Sequence, residues 1–512
     1  MKKINKLIVI NIIVVFNCFI LTKTQAQSTG SKENHRPKLH YTAEKNWIND
    51  PNGMFFYDGE YHLFYQHNPY GDKWGHMSWG HAVSTDLIKW KHLPNALEEE
   101  NDVMIFSGSA VVDWTNSSGF GMHSAPPIVA VYTSYDAKTG LQHQSIAYSN
   151  DKGRTFTKYQ GNPVLNLNSK DFRDPKVFWY EPEQKWIMAV VLSVEKKLQF
   201  YSSKNLKEWS LMSEFGPTGA VNGIWECPDL FTLTHKGITK WVLGISLGDG
   251  SVAGGSGMQY FIGNFDGKTF TADPSVSGKN GGVKYIDYGK DFYAAITWNG
   301  APAQDGSQVW LGWMNNWQYA NDIPSFGWRG SMSLPRKLIL NKSNGDYFLS
   351  QKAIPAVDTY RISETNLKKE TVAKVNQKLQ EIDLKDLAFE LDFKFSPIKT
   401  GKFLDFEILN NSKSVVKLAF NNDTNEFVLT RIDKGIAKEE FQSIQKVFIG
   451  NNDTEMIDVR LFVDKNSIEI FINEGKFVFT NLIFPEDFNT KIQFNSSDNT
   501  RSIFNSISIF KY

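Results

Sequence analysis

The stretch Asn46-Trp47-Ile48-Asn49-Asp50-Pro51-Asn52-Gly53 sets one carboxylate between two asparagines and beside an indole. Pro51 fixes φ and withdraws a backbone donor, while Gly53 permits a tight or closely packed backbone. Met54-Phe55-Phe56-Tyr57 then reads as a strand and Asp58-Gly59 as a hairpin turn. Asp50 is therefore expected on a short, stiff loop feeding a buried strand, where a carboxylate can be held still. Taken alone, an Asp-Pro step is a turn aspartate capping its own backbone. The rest of the chain changes that reading.

Downstream of this stretch, aromatic and β-branched runs alternate with Gly, Asn, Asp and Pro clusters. Between residues 46 and 340 they group into five units of ~50–60 residues. Four units close on one kind of turn, a polar pair followed by Leu or Gly and then an aromatic. These are Ser84-Thr85-Asp86-Leu87 to Trp90, Ser149-Asn150-Asp151-Lys152-Gly153 to Phe156, Ser203-Lys204-Asn205-Leu206 to Trp209, and Asp266-Gly267 to Phe270. The fifth unit runs from Val283 to about Leu340. A recurring turn with an aromatic plug suits the outer strands of a four-stranded blade. A five-bladed β-propeller over 36–345 is expected, the alternative being unrelated hairpins in a large sandwich. From Ile354 strict alternation takes over, as in Leu387–Phe395, Val459–Val463 and Ser467–Asn473. This predicts an all-β chain with a C-terminal β-sandwich over 359–512. The Lys-rich stretch 368–378 reads equally as loop or strand.

Met1-Lys2-Lys3, an apolar run from Leu7 to Leu21, and the small residues Thr24 and Ala26 have the three parts of a signal peptide. The run is short for a membrane span. Residues 1–26 are therefore expected to be removed on export to the periplasm or the medium. Phe16 and Asn17 make Cys18 a poor lipid-attachment site. Cleavage would leave Cys227 as the one cysteine and no internal disulfide, so stability must come from core burial. Lys plus Arg and Asp plus Glu balance at 55 each without a long basic block, which argues against nucleic acid as a partner. Aromatics make up 14%, which supplies strand cores and also suits stacking on sugar rings.

Three of the units open with an acid beside a proline: Asp50-Pro51, Asp174-Pro175 and Glu226-Cys227-Pro228. If each opening strand lines the propeller channel, these acids converge at one funnel mouth. Converging carboxylates repel one another and lose solvation, so they need a reason. Neither an EF-hand-like calcium loop nor histidines at zinc spacing are present, so no metal or other cofactor is expected. Glycoside cleavage fits instead, because it uses one ionised carboxylate and one carboxylic acid across the scissile bond. Asn49, Asn52, Gln66, Ser107 and Arg173 are candidates to hydrogen-bond sugar hydroxyls, and Trp47, Trp74, Phe106 and Trp313 to wall a pocket.

Trp47–Gly53, Phe172-Arg173-Asp174-Pro175 and Trp225-Glu226-Cys227-Pro228-Asp229-Leu230 resemble the three signature blocks of glycoside hydrolase family 32, the family of invertases, inulinases and levanases. Phe64–Pro69, Phe106–Ser109 and Val463–Phe471 resemble further blocks, and the likeness covers nearly the whole chain after Ala26. Ile48 stands where the family usually has Met. The resemblance implies retaining hydrolysis of β-fructosides. Asp50 would be the nucleophile, Glu226 the acid and then base, and Asp174 the stabiliser of the oxocarbenium-like transition state. The two working carboxyls would stand ~5–5.5 Å apart. Cys227 would tune its neighbour Glu226. The run Trp313–Ala320 and the segment Ile323–Gly330 look more like exo-acting levanases and inulinases than plant invertases. This implies release of terminal fructose from fructans, with sucrose as a side substrate. An endo-levanase, a fructosyltransferase or a non-catalytic sugar-binding propeller are the alternatives. The turn Ser149–Phe156 also matches a sialidase Asp-box, but only Arg173 of the arginines such a site needs is well placed.

Overall fold

A computed structural model describes residues 35–512 apart from 123–124, 275–281, 303–304, 385–387, 397–402, 451–455, 486–491 and 498–501. The expected signal peptide lies outside the described residues. No described helix is long and apolar enough to cross a membrane.

Each unit of the sequence becomes one antiparallel blade. Blade 1 pairs Asn46–Tyr57, Glu60–Asn68, Ser78–Ser84 and Lys91–Leu97 in chain order. The inner strands of blades 2 to 5 are Val103–Val112, Phe172–Tyr180, Trp225–His235 and Tyr293–Thr297. Each inner strand packs against the next, and the fifth packs against the first, which closes the ring. A two-residue parallel pairing of Asn46-Trp47 with Trp328-Arg329 adds a tie across the closure.

The recurring turns sit between the third and fourth strands of blades 1 to 4, as their sequence implied. Ser84 Oγ accepts from the Leu87 amide at 2.8 Å, and Asp86 Oδ1 accepts from Ile88 and Lys89. Ser149 with Asp151 and Ser203 with Asn205 repeat the arrangement. The short polar side chains thus satisfy backbone donors that a strand would otherwise pair. The Ser149–Phe156 turn is used in this structural way.

Blade 5 departs from the expected limits. Lys284-Tyr285 pairs with Gly257–Phe265 at the edge of blade 4, so blade 5 begins at Tyr293. It ends on Asp346–Ala353, which pairs with Arg336–Ser343. The propeller therefore extends past residue 345. Asn344-Gly345, both at positive φ, form the hairpin between two paired strands rather than a boundary.

The sandwich faces a six-stranded sheet against a five-stranded one. Inward residues of the alternating runs, among them Phe393, Phe406, Leu418, Leu429, Leu461 and Ile470, fill the space between them. The ambiguous Lys-rich stretch is strand to Thr371 and then the helix Val372–Glu381. Thr371 caps the helix by accepting from the Lys374 amide, and Val372, Val375 and Leu379 bury one face. The two domains share a core that includes Trp313, Val357, Phe462, Phe471 and Val478. Buried charges also cross between them. His40 meets Asp464 at 2.8 Å and Glu469 at 2.9 Å, and Arg336 binds Asp287 and Glu469.

Candidate active site

All five inner strands carry a bulge at the same level, where two residues oppose one on the second strand. The shifts fall between Ile48 and Pro51, Ile105 and Gly108, Arg173 and Lys176, Glu226 and Asp229, and Tyr293 and Ile296. A bulge bends the strand and re-aims its side chains. Pro175 and Pro228 lie within two of these bulges, where a missing N–H leaves no ladder bond unmade. Asp174, Cys227 and Ala294 take left-handed φ of 64°, 44° and 52°. Such backbone is strained for non-glycine residues and persists where surrounding structure enforces it. Asp50 therefore sits within a bulged strand rather than on a loop before one. Gly53 meets its expectation: φ is +57°, and a Cβ there would lie 2.6 Å from the Phe64 and Trp79 rings.

The bulges bring the three acids together. Cys227 lies at their centre, its Sγ 3.5 Å from Asp50 Oδ2 and 3.6 Å from Asp174 Oδ2. Its amide donates to Asp174 Oδ2 at 3.0 Å. The thiol therefore serves the two aspartates rather than its neighbour Glu226. Burial and the surrounding carboxylates push its ionisation well up, so it remains a donor. Ser107 Oγ donates to Asp50 Oδ2 at 3.1 Å, and Asp50 Oδ1 is enclosed without an ordinary hydrogen bond. Asn49 gives its amide oxygen to the Trp47 indole at 2.7 Å.

Arg173, Glu226 and Tyr293 occupy the position just before the bulge in blades 3, 4 and 5. They form a row. Arg173 Nε donates to Glu226 Oε1 at 3.0 Å, and the Tyr293 hydroxyl donates to Glu226 Oε2. Arg173 is farther from Asp174, at 4.0 Å, and also reaches Gln142 Oε1 at 3.2 Å. Burial first, and Glu226 second, push Asp50 up to about 6. Burial also raises Asp174, with Arg173 acting against it. Burial and Glu226 keep the Tyr293 phenol protonated.

A cleft of about 640 Å³ opens onto these groups, a size suited to a small organic ligand. Asn49, Asp50, Gln66, Trp74, Phe106, Ser107, Arg173, Asp174 and Glu226 all line it. Trp313 does not. It is wholly buried behind the cleft against Trp47 and Tyr293, because the strand Gln308–Met314 turns it inward. Trp317 lines the cleft instead. Trp47 is also wholly buried, and Asn52 lies in a small cavity below Asp174. Tyr135, Gln142, Asp171, Ile224 and Asp249 also line the cleft, and Tyr293 stands behind Glu226, none of them expected from the sequence. None of these carries a local signal, and the place of Tyr293 at the start of an inner strand emerges only once Lys284-Tyr285 is seen to belong to blade 4. Phe106 stacks on Tyr135 at 4.7 Å and meets Trp74 edge-on, which makes one wall aromatic.

Residues 40–352 match the family model described as Glycosyl hydrolases family 32 N-terminal domain, and residues 356–511 match Glycosyl hydrolases family 32 C terminal. A levanase of Bacillus subtilis (strain 168) is 43% identical over 489 residues, covering 93% of this chain and 71% of that protein. An extracellular exo-inulinase of Aspergillus niger is 39% identical over 488 residues, covering 88% and 90%. The crystal structure of an exo-inulinase from Aspergillus awamori superposes with a TM-score of 0.83 at 35% identity, covering 93% of this chain and 98% of that one.

Proposed function

The chain belongs to glycoside hydrolase family 32, and we propose that it is a retaining glycosidase that releases terminal β-fructose from fructans, with sucrose as a further substrate. The observation that carries this reading is the row of Arg173, Glu226 and Tyr293 set beside the thiol-bridged pair Asp50 and Asp174. Asp50 attacks the anomeric carbon of fructose and forms a fructosyl ester. Glu226 gives a proton to the departing glycosidic oxygen, then takes one from the water that hydrolyses the ester. Asp174, held by the Cys227 amide, accepts hydrogen bonds from fructose hydroxyls and faces the developing oxocarbenium charge. Trp74, Phe106 and Trp317 supply apolar walls for sugar rings, and Asn49, Gln66, Ser107 and Arg173 supply polar contacts. The similarity to a levanase and to exo-inulinases supports a fructan substrate. The apolar N-terminal run and the extracellular exo-inulinase relative support export.

The test is product analysis on levan, inulin and sucrose, with Glu226→Gln in parallel. Fructose alone from the first minutes, abolished in the variant, is expected. A ladder of oligomers contradicts exo release, and an unimpaired Glu226→Gln contradicts the catalytic assignment.

A further inference from the structure

Two segments that shape the cleft are gripped from behind by one side chain of the sandwich. Arg431 lies on the strand Glu426–Asp433 and is wholly buried. Its Nη1 meets Asp291 Oδ2, and its Nη2 donates to the Tyr319 hydroxyl at 2.9 Å. The Tyr319 hydroxyl donates in turn to Asp291 Oδ1 at 2.5 Å. The rest of the guanidinium is tied to its own domain, with Nε on the Phe441 carbonyl at 2.9 Å and Nη1 on the Leu482 carbonyl at 3.1 Å. The Leu482 amide completes the cluster on Asp291 Oδ2 at 2.8 Å.

Asp291 precedes Tyr293 by two residues, and Tyr293 holds the Glu226 carboxylate. Tyr319 follows Trp317 by two residues, and Trp317 lines the cleft. The intervening chain has little slack. Asp291 and Tyr288 donate backbone bonds to Thr480 and Val478 of the sandwich edge strand Phe477–Leu482, at 3.0 and 2.7 Å. Gly289 is pressed so close that a Cβ would lie 2.1 Å from the Thr480 amide. On the other segment, buried Asn316 donates to the carbonyls of Gly254, Ser256 and Lys290 at 3.1, 3.1 and 2.9 Å. The Trp317 amide itself donates to Ser256 Oγ at 3.0 Å. Asp291 and Tyr293 thus share one short pinned segment, and Trp317 and Tyr319 share another.

We infer that Arg431 is a positioning residue for the reaction, and that through it the sandwich holds Tyr293 against the acid Glu226 and Trp317 against the substrate. This rests on the proposed fructosidase reading of the cleft. A guanidinium is suited to the task because its planar fork meets the carboxylate, the phenol and two carbonyls at once, which an ammonium cannot do.

The experiment compares the parent with Arg431→Lys, Tyr319→Phe and, as a control on another interdomain contact, His40→Gln, all well below their melting temperatures. Each is assayed on inulin and on an aryl β-fructofuranoside whose nitrophenol leaves without acid assistance. Arg431→Lys is expected to lower kcat/KM on inulin by about tenfold while changing kcat/KM on the aryl substrate by less than about twofold, since kcat/KM reports formation of the ester and only inulin needs a well-placed acid in that step. Tyr319→Phe keeps the buried ion pair and covers the case in which Arg431→Lys does not fold; it is expected to raise KM for inulin. His40→Gln is expected to lower thermal stability alone. If Arg431→Lys and Tyr319→Phe reduce stability while leaving the ratio of the two activities and KM unchanged, or if His40→Gln moves that ratio equally, the inference is overturned. A parent that cleaves neither substrate overturns the function itself, and the inference with it.

Discussion

Arg173 Nε donates to Glu226 Oε1 at 3.0 Å from the matching position of the neighbouring blade. With Tyr293 on the other oxygen, the acid is gripped from both sides by residues of equal register. Lysine in place of Arg173 keeps the charge but loses the directed Nε bond and the contact to Gln142. Arg173→Lys should lower kcat/KM on sucrose at least about tenfold, or roughly 1.4 kcal/mol of transition-state stabilisation. Steady-state kinetics on purified variants checks this.

Asp50 carries a cost in stability. Burial and Glu226 raise it from an ordinary 3.8 to about 6. The folded state therefore holds this proton more tightly than the unfolded chain, and stability falls as pH rises through that window. The gap corresponds to roughly 3 kcal/mol at most. Asp50→Asn should abolish turnover and raise the melting temperature at pH 7, with the gain gone below about pH 4. Thermal melts of both proteins across pH measure it.

The same shift fixes the acid side of the activity profile. A protonated Asp50 cannot attack carbon, so kcat/KM should fall as pH drops through about 6. The slope should approach tenfold per pH unit if Asp50 alone controls the limb.

Trp313 and Trp317 should separate cleanly on mutation. Trp313 is wholly buried, so Trp313→Ala should cost about 3–5 kcal/mol in stability. Trp317 lines the cleft, so Trp317→Ala should mainly raise KM for fructan. Paired unfolding and kinetic measurements on the two variants decide it.

The domain contact has its own pH dependence. His40 is raised to about 9 by its bonds to Asp464 and Glu469, which outweigh the opposing effect of burial. Its contribution is present in full below about 6.5 and is lost as pH rises through about 9. Thermal stability should decline across that interval in the parent, and the decline should be smaller in His40→Gln.

The blades and the three acids were legible because each leaves a local mark. A Ser or Asp caps the outer turn, and a proline marks the bulge in blades 3 and 4. What was not legible depended on direction or on contacts between distant strands. Trp313 and Trp317 look alike in Trp313-Met314-Asn315-Asn316-Trp317, and only the end of the strand at Met314 separates core from cleft. Tyr293 has neither an acid nor a proline beside it, yet it shares the register of Arg173 and Glu226. The end of the propeller was not legible because the pairing of Asp346–Ala353 with Arg336–Ser343 leaves no mark in the texture of the sequence before Ile354.

The most direct measurement is to trap the ester. Glu226→Gln, given an aryl β-fructofuranoside with a good leaving group, should still form the fructosyl-enzyme but hydrolyse it slowly for want of a base. Peptide mass spectrometry after acid quench should place one anhydrofructose unit on the peptide carrying Asp50. A fructosyl group on any other residue, or product of inverted anomeric configuration from the parent, would contradict the account.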